Sequence, residues 1–252
     1  MKILPPVTLP PQQPTTRRHN PRMARGLQGF HAYRSCLRWD FGFTCPFCLC
    51  HEADLTGGRS VEGFGITGVE HGAPRSVDPG RSNDYSNCFY SCRLCNGSRS
   101  NRPRSSEGRS LLDPTAEAWG AHFYRSGDGL LPVQGDRDAE YTHEVYDLGD
   151  PRKIELRRLR RELVTDRLEL LRRFPEDIKW LQTEAEASPP SRARQALDLA
   201  RRLRRAMHNA LEELVRFASV PADAPWECRC GQTDQHSLPQ GLEIQSVDVV
   251  LG

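Results

Sequence analysis

The chain has 252 residues, 37% hydrophobic and 27% charged, which allows a small core with much polar surface. Its net charge of +2 conceals a basic stretch: from Arg17 to Arg109 there are 14 Arg and no Lys against 8 Asp and Glu, a net of +6. No apolar run approaches the roughly 20 residues of a membrane span, and the basic stretch suits a polyanionic partner, although an excess of Arg over Lys throughout the chain also fits a compositional bias.

Residues 1–28 hold six Pro and four Arg without apolar periodicity, and are expected to form a disordered Pro-rich arm. Met1-Lys2-Ile3-Leu4 runs at once into Pro5-Pro6, so no apolar core of a secretory signal forms. A cytoplasmic location is therefore expected, where the nine Cys stay reduced and paired Cys are more often metal ligands than disulfides. From Gly29 to Asp40, Phe30, Tyr33, Cys36 and Leu37 recur at helical spacing, and Gly42 ends the helix.

Phe43-Thr44-Cys45-Pro46-Phe47-Cys48 is a zinc-knuckle signature, and Cys92-Arg93-Leu94-Cys95 supplies a second Cys-x-x-Cys pair. Two intervening residues let both thiolates of a pair reach one tetrahedral ion at about 2.3 Å. Cys45, Cys48, Cys92 and Cys95 are expected to hold a structural zinc, with all four positions filled and none open to water. Cys50 and His51 lie near enough to substitute as ligands, whereas Cys88 reads as core.

Gly63 to Val69 alternates like a strand ending at Glu70-His71, and Gly72-Ala73-Pro74 and Asp78-Pro79-Gly80 turn the chain. Tyr85 to Tyr90 reads as the returning strand, and Leu94 onward as a short helix stopped near Pro103. The predicted order is strand, loop, strand, helix, with a cysteine pair at each outer end.

Glu70-His71 followed by Pro74-Arg75-Ser76, then Asp84-Tyr85-Ser86-Asn87, then Cys92-x-x-Cys95-Asn96 resembles the HNH nucleases of bacterial type that carry two Cys-x-x-Cys pairs. His71 to Asn87 is 16 residues and Asn87 to Asn96 is 9, close to the family's spacing, and the resemblance covers about 60 residues. It implies an α+β fold: a zinc-bound, treble-clef-like ββα-metal core, here with an α-helical hairpin as its C-terminal region. It also implies a metal-dependent endonuclease hydrolysing DNA, with a role such as phage defence or restriction.

His71 is the natural general base, since neutral imidazole titrates near physiological pH. Glu70 and the amide oxygen of Asn96 are the expected ligands of a hard divalent cation, Mg²⁺ or Mn²⁺. In the family the middle Asn, here Asn87, ties the loop between the strands and orients the base. Arg75, Arg99 and Arg102 are candidate nucleic-acid contacts. Glu70 stands where the family usually has Asp, and Asn96 where it often has His. The rival reading is a catalytically inactive zinc-containing module that binds nucleic acid or protein.

Beyond Ser110, Ala116 to Phe123 reads as a short helix, Gly127 to Asp138 as turns and Leu130 to Val133 as a strand; His122 and His143 stand outside the motif's spacing. Arg152 to Leu181 is helical, with Leu156, Leu159, Leu163, Leu170, Leu171 and Phe174 as its stripe and Pro175 as an interruption. A second helix follows Ser188-Pro189-Pro190, and the pair predicts an antiparallel hairpin. Its arginine-studded faces read as solvated and balanced by acids, and the region is a candidate surface for a homodimer or a partner protein. The tail holds Cys228, Cys230 and His236, a weak metal pattern, and a candidate strand from Glu243 to Gly252. The expected organisation is an arm (1–28), a nuclease domain (29–110), an extension (111–150), a helical hairpin (151–220) and a tail (221–252).

Overall fold

A computed structural model of the protein describes residues 2–3, 10–21, 29–56, 67–218, 230 and 245–246. A 3₁₀ turn at Gly29–Tyr33 leads into helix α1, Arg34–Asp40. Two successive residues at positive φ, Gly42 (55°) and Phe43 (57°), then reverse the chain. Phe43 offsets this unfavourable backbone by full burial, its ring edge-on to Trp39 at 4.9 Å and beneath the Arg38 guanidinium. The first cysteine pair follows as a tight knuckle, in which Leu49 N donates to Cys45 O at 2.8 Å and Cys45 N to Cys50 O at 3.0 Å. Helix α2, Glu52–Thr56, comes next; Glu52 is buried behind the knuckle, accepting from Arg38 and from the Tyr90 hydroxyl.

Lys2–Ile3 is numbered β1. Strand β2, Thr67–His71, pairs antiparallel with β3, Cys88–Cys92, placing Glu70 opposite Phe89 and His71 opposite Cys88. The predicted strand start at Gly63 lies outside the described residues. Residues 85–87, expected in the returning strand, form a 3₁₀ turn instead, because Asp84 caps it by accepting from Ser86 N. Helix α3, Arg93–Arg99, follows β3 without a loop and ends at Ser100, where φ is +45°. The order strand, loop, strand, helix is thus present.

Short antiparallel hairpins follow: β4 (Ser105–Ser106) with β5 (Arg109–Ser110), then β6 (Phe123–Ser126) with β7 (Gly129–Pro132). Between them lies α4, Trp119–His122. Helix α5, Arg137–Val145, was not expected; only its first two residues fall in the stretch read as turns, and Asp136 caps it, its carboxylate accepting from Ala139 N. Trp119, Phe123, Leu130, Tyr141, Tyr146 and Leu148 share one core with Tyr33, Leu37, Phe47 and Phe89. Phe47 of the knuckle stacks on Tyr146 at 4.0 Å, so residues 111–148 complete the core around the cysteines.

Helices α6 (Pro151–Ala187) and α7 (Pro190–Ala218) form an antiparallel hairpin: Val164 and Leu171 meet Ala210, while Ile178, Leu181 and Ala185 meet Ala196 and Ala200. Two expectations need correction. Pro175 lies inside α6 without ending it; the helix forgoes one backbone bond there and is held by Phe174 and Ile178, buried on either side. Leu159 and Leu170 are exposed, whereas Lys153, Arg157 and Arg160 are buried. The first turns of α6 dock on carbonyls that need donors. Arg157 donates to Cys48 O (2.9 Å), Asp128 O (2.7 Å) and Leu148 O (3.4 Å), and Lys153 Nζ to Asp147 O (2.9 Å). Arg160 pairs with Asp54 at 2.8 Å.

Residues 10–21 also differ from the expected disordered arm. They are laid along the core, with Gly120 N donating to Pro11 O and Thr15 N to Pro114 O, both at 2.7 Å. Asp40, fully buried, accepts from the backbone N–H of Arg18 and His19, shares a 2.6 Å bond with His19 Nδ1, and accepts from the Tyr85 hydroxyl at 2.6 Å. The Arg17 guanidinium lies 5.0–5.6 Å from the rings of Phe89, Tyr85 and Phe41. Lys2–Ile3 pairs with Gln245–Ser246, strand β8; of the tail's predicted metal residues only Cys230 is described, packed against the core. Among the described residues, no helix is long and apolar enough to cross a membrane.

Candidate functional site

The four predicted cysteines converge. Cys45 and Cys48 come from the knuckle, Cys92 from the end of β3 and Cys95 from the first turn of α3. All are buried, and their sulfurs lie within 4.8 Å of one another. Cys48 Sγ and Cys92 Sγ are 3.6 Å apart, close to the roughly 3.8 Å edge of a tetrahedron with Zn–S bonds of about 2.3 Å. Cys92 Sγ also accepts from Cys95 N at 3.3 Å, tying the cluster to the start of α3. Burial and then the neighbouring sulfurs push the Cys95 thiol well above its ordinary value, so the cluster cannot ionise together without a cation. Four crowded sulfurs in a dry pocket fit a metal such as zinc. Cys50 and His51 stand outside the cluster: Cys50 Sγ faces the carbonyls of Cys48 and Lys153, and His51 Nδ1 accepts from Ala53 N.

A second group of polar residues forms where β2, β3 and α3 meet. His71 ends β2, and its Nε2 lies 3.0 Å from the Ser82 carbonyl. A carbonyl only accepts, so Nε2 carries the proton and Nδ1 keeps its lone pair. Burial lowers the His71 pKa from its ordinary value, with Arg75 and His31 acting in the same direction against the Ser82 bond. The imidazole is thus held neutral, as a base must be, and Phe30 packs edge-on to it at 4.6 Å. Arg75, exposed, lies over the other ring in this stack, 5.0 Å from the Phe30 centroid.

Asn87 is 2% exposed and committed to the loop. Its Oδ1 accepts from Ala73 N (2.7 Å), and its Nδ2 donates to Ala73 O (3.1 Å) and Arg81 O (3.2 Å). One side chain thereby stitches both limbs of the loop that delivers the Ser82 carbonyl to His71. With these bonds made, the Asn87 amide is committed to holding the loop.

Gly68 and Glu70 share a face of β2 by the two-residue alternation of a strand. Asn96 of α3 lies against Gly68: a Cβ there would come within 2.9 Å of its Nδ2. Glu70 is buried; Oε1 accepts from His71 N at 3.0 Å, while Oε2 has no hydrogen-bond partner among the described residues. Burial pushes this carboxyl up to about 7, against the pull of Arg99. An orphaned carboxylate oxygen and an amide on one side of β2 are oxygen donors of the kind a hard cation takes.

Arg99 requires a correction. It is fully buried, donates to Gly72 O at 3.4 Å, and lies in the field of Glu70 and the buried Tyr146, so it is not a surface contact for nucleic acid. Arg102 is exposed and reaches Glu144, 3.6 Å from its carboxylate. His122 pairs with Asp136 at 2.7 Å, and His143 lies half-buried on α5. Phe30, Gly68, Ser82 and Tyr146 were not among the site residues expected from the sequence. Gly68 alone carried a signal, as a glycine two residues before Glu70 on a predicted strand.

Comparison with protein-family models, with curated proteins and with solved structures gives no match for this chain.

Proposed function

We propose that this chain is a metal-dependent endonuclease of the HNH type that hydrolyses DNA phosphodiester bonds. One observation carries the reading: Nε2 of His71 is fixed on the Ser82 carbonyl, and Asn87 stitches the loop that presents that carbonyl. An imidazole so held offers Nδ1 as a general base for a water attacking phosphorus. Its lowered pKa keeps it unprotonated at neutral pH, ready to accept that proton. Glu70 and Asn96 are the residues that would hold Mg²⁺ or Mn²⁺. When bound, the ion supplies charge neutralisation at the scissile phosphate and its leaving oxygen. Arg75, exposed beside the Phe30–His71 stack, would meet an adjacent phosphate. The zinc held by Cys45, Cys48, Cys92 and Cys95 would be structural, fixing the ends of β3 and α3.

The burial of Glu70 favours a second reading, a catalytically inactive zinc-containing module that binds nucleic acid or protein. Its carboxyl is closed in beside Arg99 and is half-protonated near neutrality. Plasmid nicking with Mg²⁺ or Mn²⁺ separates the two. The endonuclease reading expects wild type to nick and His71→Ala to lose at least about a hundredfold in rate, the usual worth of a general base. Equal cleavage by both proteins at equal purity, or none by wild type, would leave the binding module standing.

A further inference from the structure

The two long helices present their charges to solvent differently. On α6 most of the outward arginines are paired: Arg158 with Glu155 (2.6 Å) and Glu162 (3.1 Å), Arg161 with Asp128 (2.9 Å), and Arg173 with Glu169, while Arg172 is exposed with no acidic partner among the described residues. Between residues 190 and 211, α7 carries six Arg against Asp198 alone. Arg202 takes Asp198 at 2.7 Å, and Arg192 reaches Glu184 at 3.5 Å. Arg194, Arg201, Arg204 and Arg205 are exposed and have no acidic partner among the described residues.

Helix geometry aligns these charges. At about 100° per residue, Arg194, Arg201 and Arg205 fall within roughly 40° of one another, and Arg204 flanks them. Ala196, Ala200 and Ala210, which pack on α6, occupy the far side. The row from Arg194 to Arg205 is about 16 Å long at 1.5 Å per residue. Because α7 is clamped along α6, the row is a rigid bar and not a flexible tail.

We propose that this face of α7 docks on the phosphate backbone of duplex DNA, as a contact separate from the β2–β3–α3 site. The proposal rests on the DNA reading above for its choice of polyanion. A duplex carries about one negative charge per 1.7 Å of axis, a regular array that a straight row of guanidinium groups meets with bidentate bonds. A single strand fits less well, since residues 190–211 contain no Phe, Tyr or Trp on which its bases would stack. An anionic membrane fits less well too, because Ala196, Ala200, Leu203, Met207 and Ala210 of α7 pack on α6, leaving Leu197 and Leu199 as separate exposed leucines and not a continuous apolar face.

The test is equilibrium binding of a fluorescent 25-base-pair duplex (a size on the order of two helical turns) to the full chain. Salt is varied, with no Mg²⁺ or Mn²⁺ added. Wild type is compared with the triple variant R194Q/R201Q/R205Q and with R173Q, which removes a paired arginine of α6. The triple variant is expected to bind about tenfold more weakly at moderate salt and to lower the slope of log K against log salt by about 3, near 0.9 per phosphate contact. R173Q should match wild type, and zinc content and circular dichroism should be unchanged in both. An unchanged slope in the triple variant overturns the inference, as does a wild type that binds no duplex. A change in oligomeric mass by light scattering, with DNA affinity intact, overturns it in favour of a second copy on this face. If wild type fails to nick DNA yet the slope falls as expected, the docking face stands and the endonuclease reading falls; nicking with an unchanged slope does the reverse.

Discussion

Gly68 and Asn87 show how far a site depends on residues that do no chemistry. Gly68 leaves room for the Asn96 amide; adding one methyl group puts a carbon 2.9 Å from Nδ2, inside van der Waals contact. Gly68→Ala is therefore expected to displace Asn96 and cut the nicking rate at least about tenfold, an effect of roughly 1.4 kcal/mol on the barrier. Zinc content and the far-ultraviolet spectrum should stay as in wild type; an unaltered rate would mean that Asn96 takes no part. Asn87 acts through the loop instead. Asn87→Ala strands Ala73 N and two carbonyls in a partly buried setting, and should lower stability in urea by about 1 kcal/mol or more as well as slowing cleavage. A variant that keeps wild-type stability would contradict the stitching role.

At the scale of elements, α6 separates what periodicity reveals from what it hides. Counting leucines placed Leu159 on the buried stripe, yet it is 48% exposed, while Arg157 is 7% exposed. The hidden requirement was three backbone carbonyls, of Cys48, Asp128 and Leu148, which take no backbone N–H among the described residues and which a long guanidinium can reach. Arg157→Ala should thus cost about 3 kcal/mol, and Leu159→Ala less than about 0.5 kcal/mol, by urea denaturation. The reverse ranking would restore the leucine stripe. The same contrast runs through the site. The cysteine pairs, the β2–β3 order and the positions of His71 and Asn96 were legible because their information is local: spacing, alternation and turn residues. Phe30, Ser82 and Tyr146 were not, because they reach His71 and Glu70 only once the chain has folded back on itself. The inward turn of Arg99 was equally unreadable, since an arginine on a short helix normally faces water.

For the whole molecule, the cysteine cluster and the core are one object. Phe47, between two of the cysteines, packs on Phe89, Trp119 and Tyr146, so a disturbance at the cysteine cluster reaches as far along the chain as Tyr146. Structural zinc contributes about 10–16 kcal/mol of apparent binding free energy, comparable to the whole stability of about 5–15 kcal/mol expected of a protein domain. Chelation of zinc is expected to abolish the cooperative urea transition and the near-ultraviolet signal of the core aromatics. Cys95→Ser should do the same without chelator; a metal-free protein that melts like the native one would remove zinc from the account. The segment of residues 10–21 bears on how the protein is to be handled. A sequence-guided truncation starting at residue 29 looks tidy, yet it would strip Asp40 of the donors from Arg18 and His19, leaving, among the described residues, the Tyr85 hydroxyl. It would also uncover the rings of Phe41, Tyr85 and Phe89 beneath Arg17. What reads as an expendable leader is a strap across the protein's aromatic face, and any minimal fragment has to begin upstream of it.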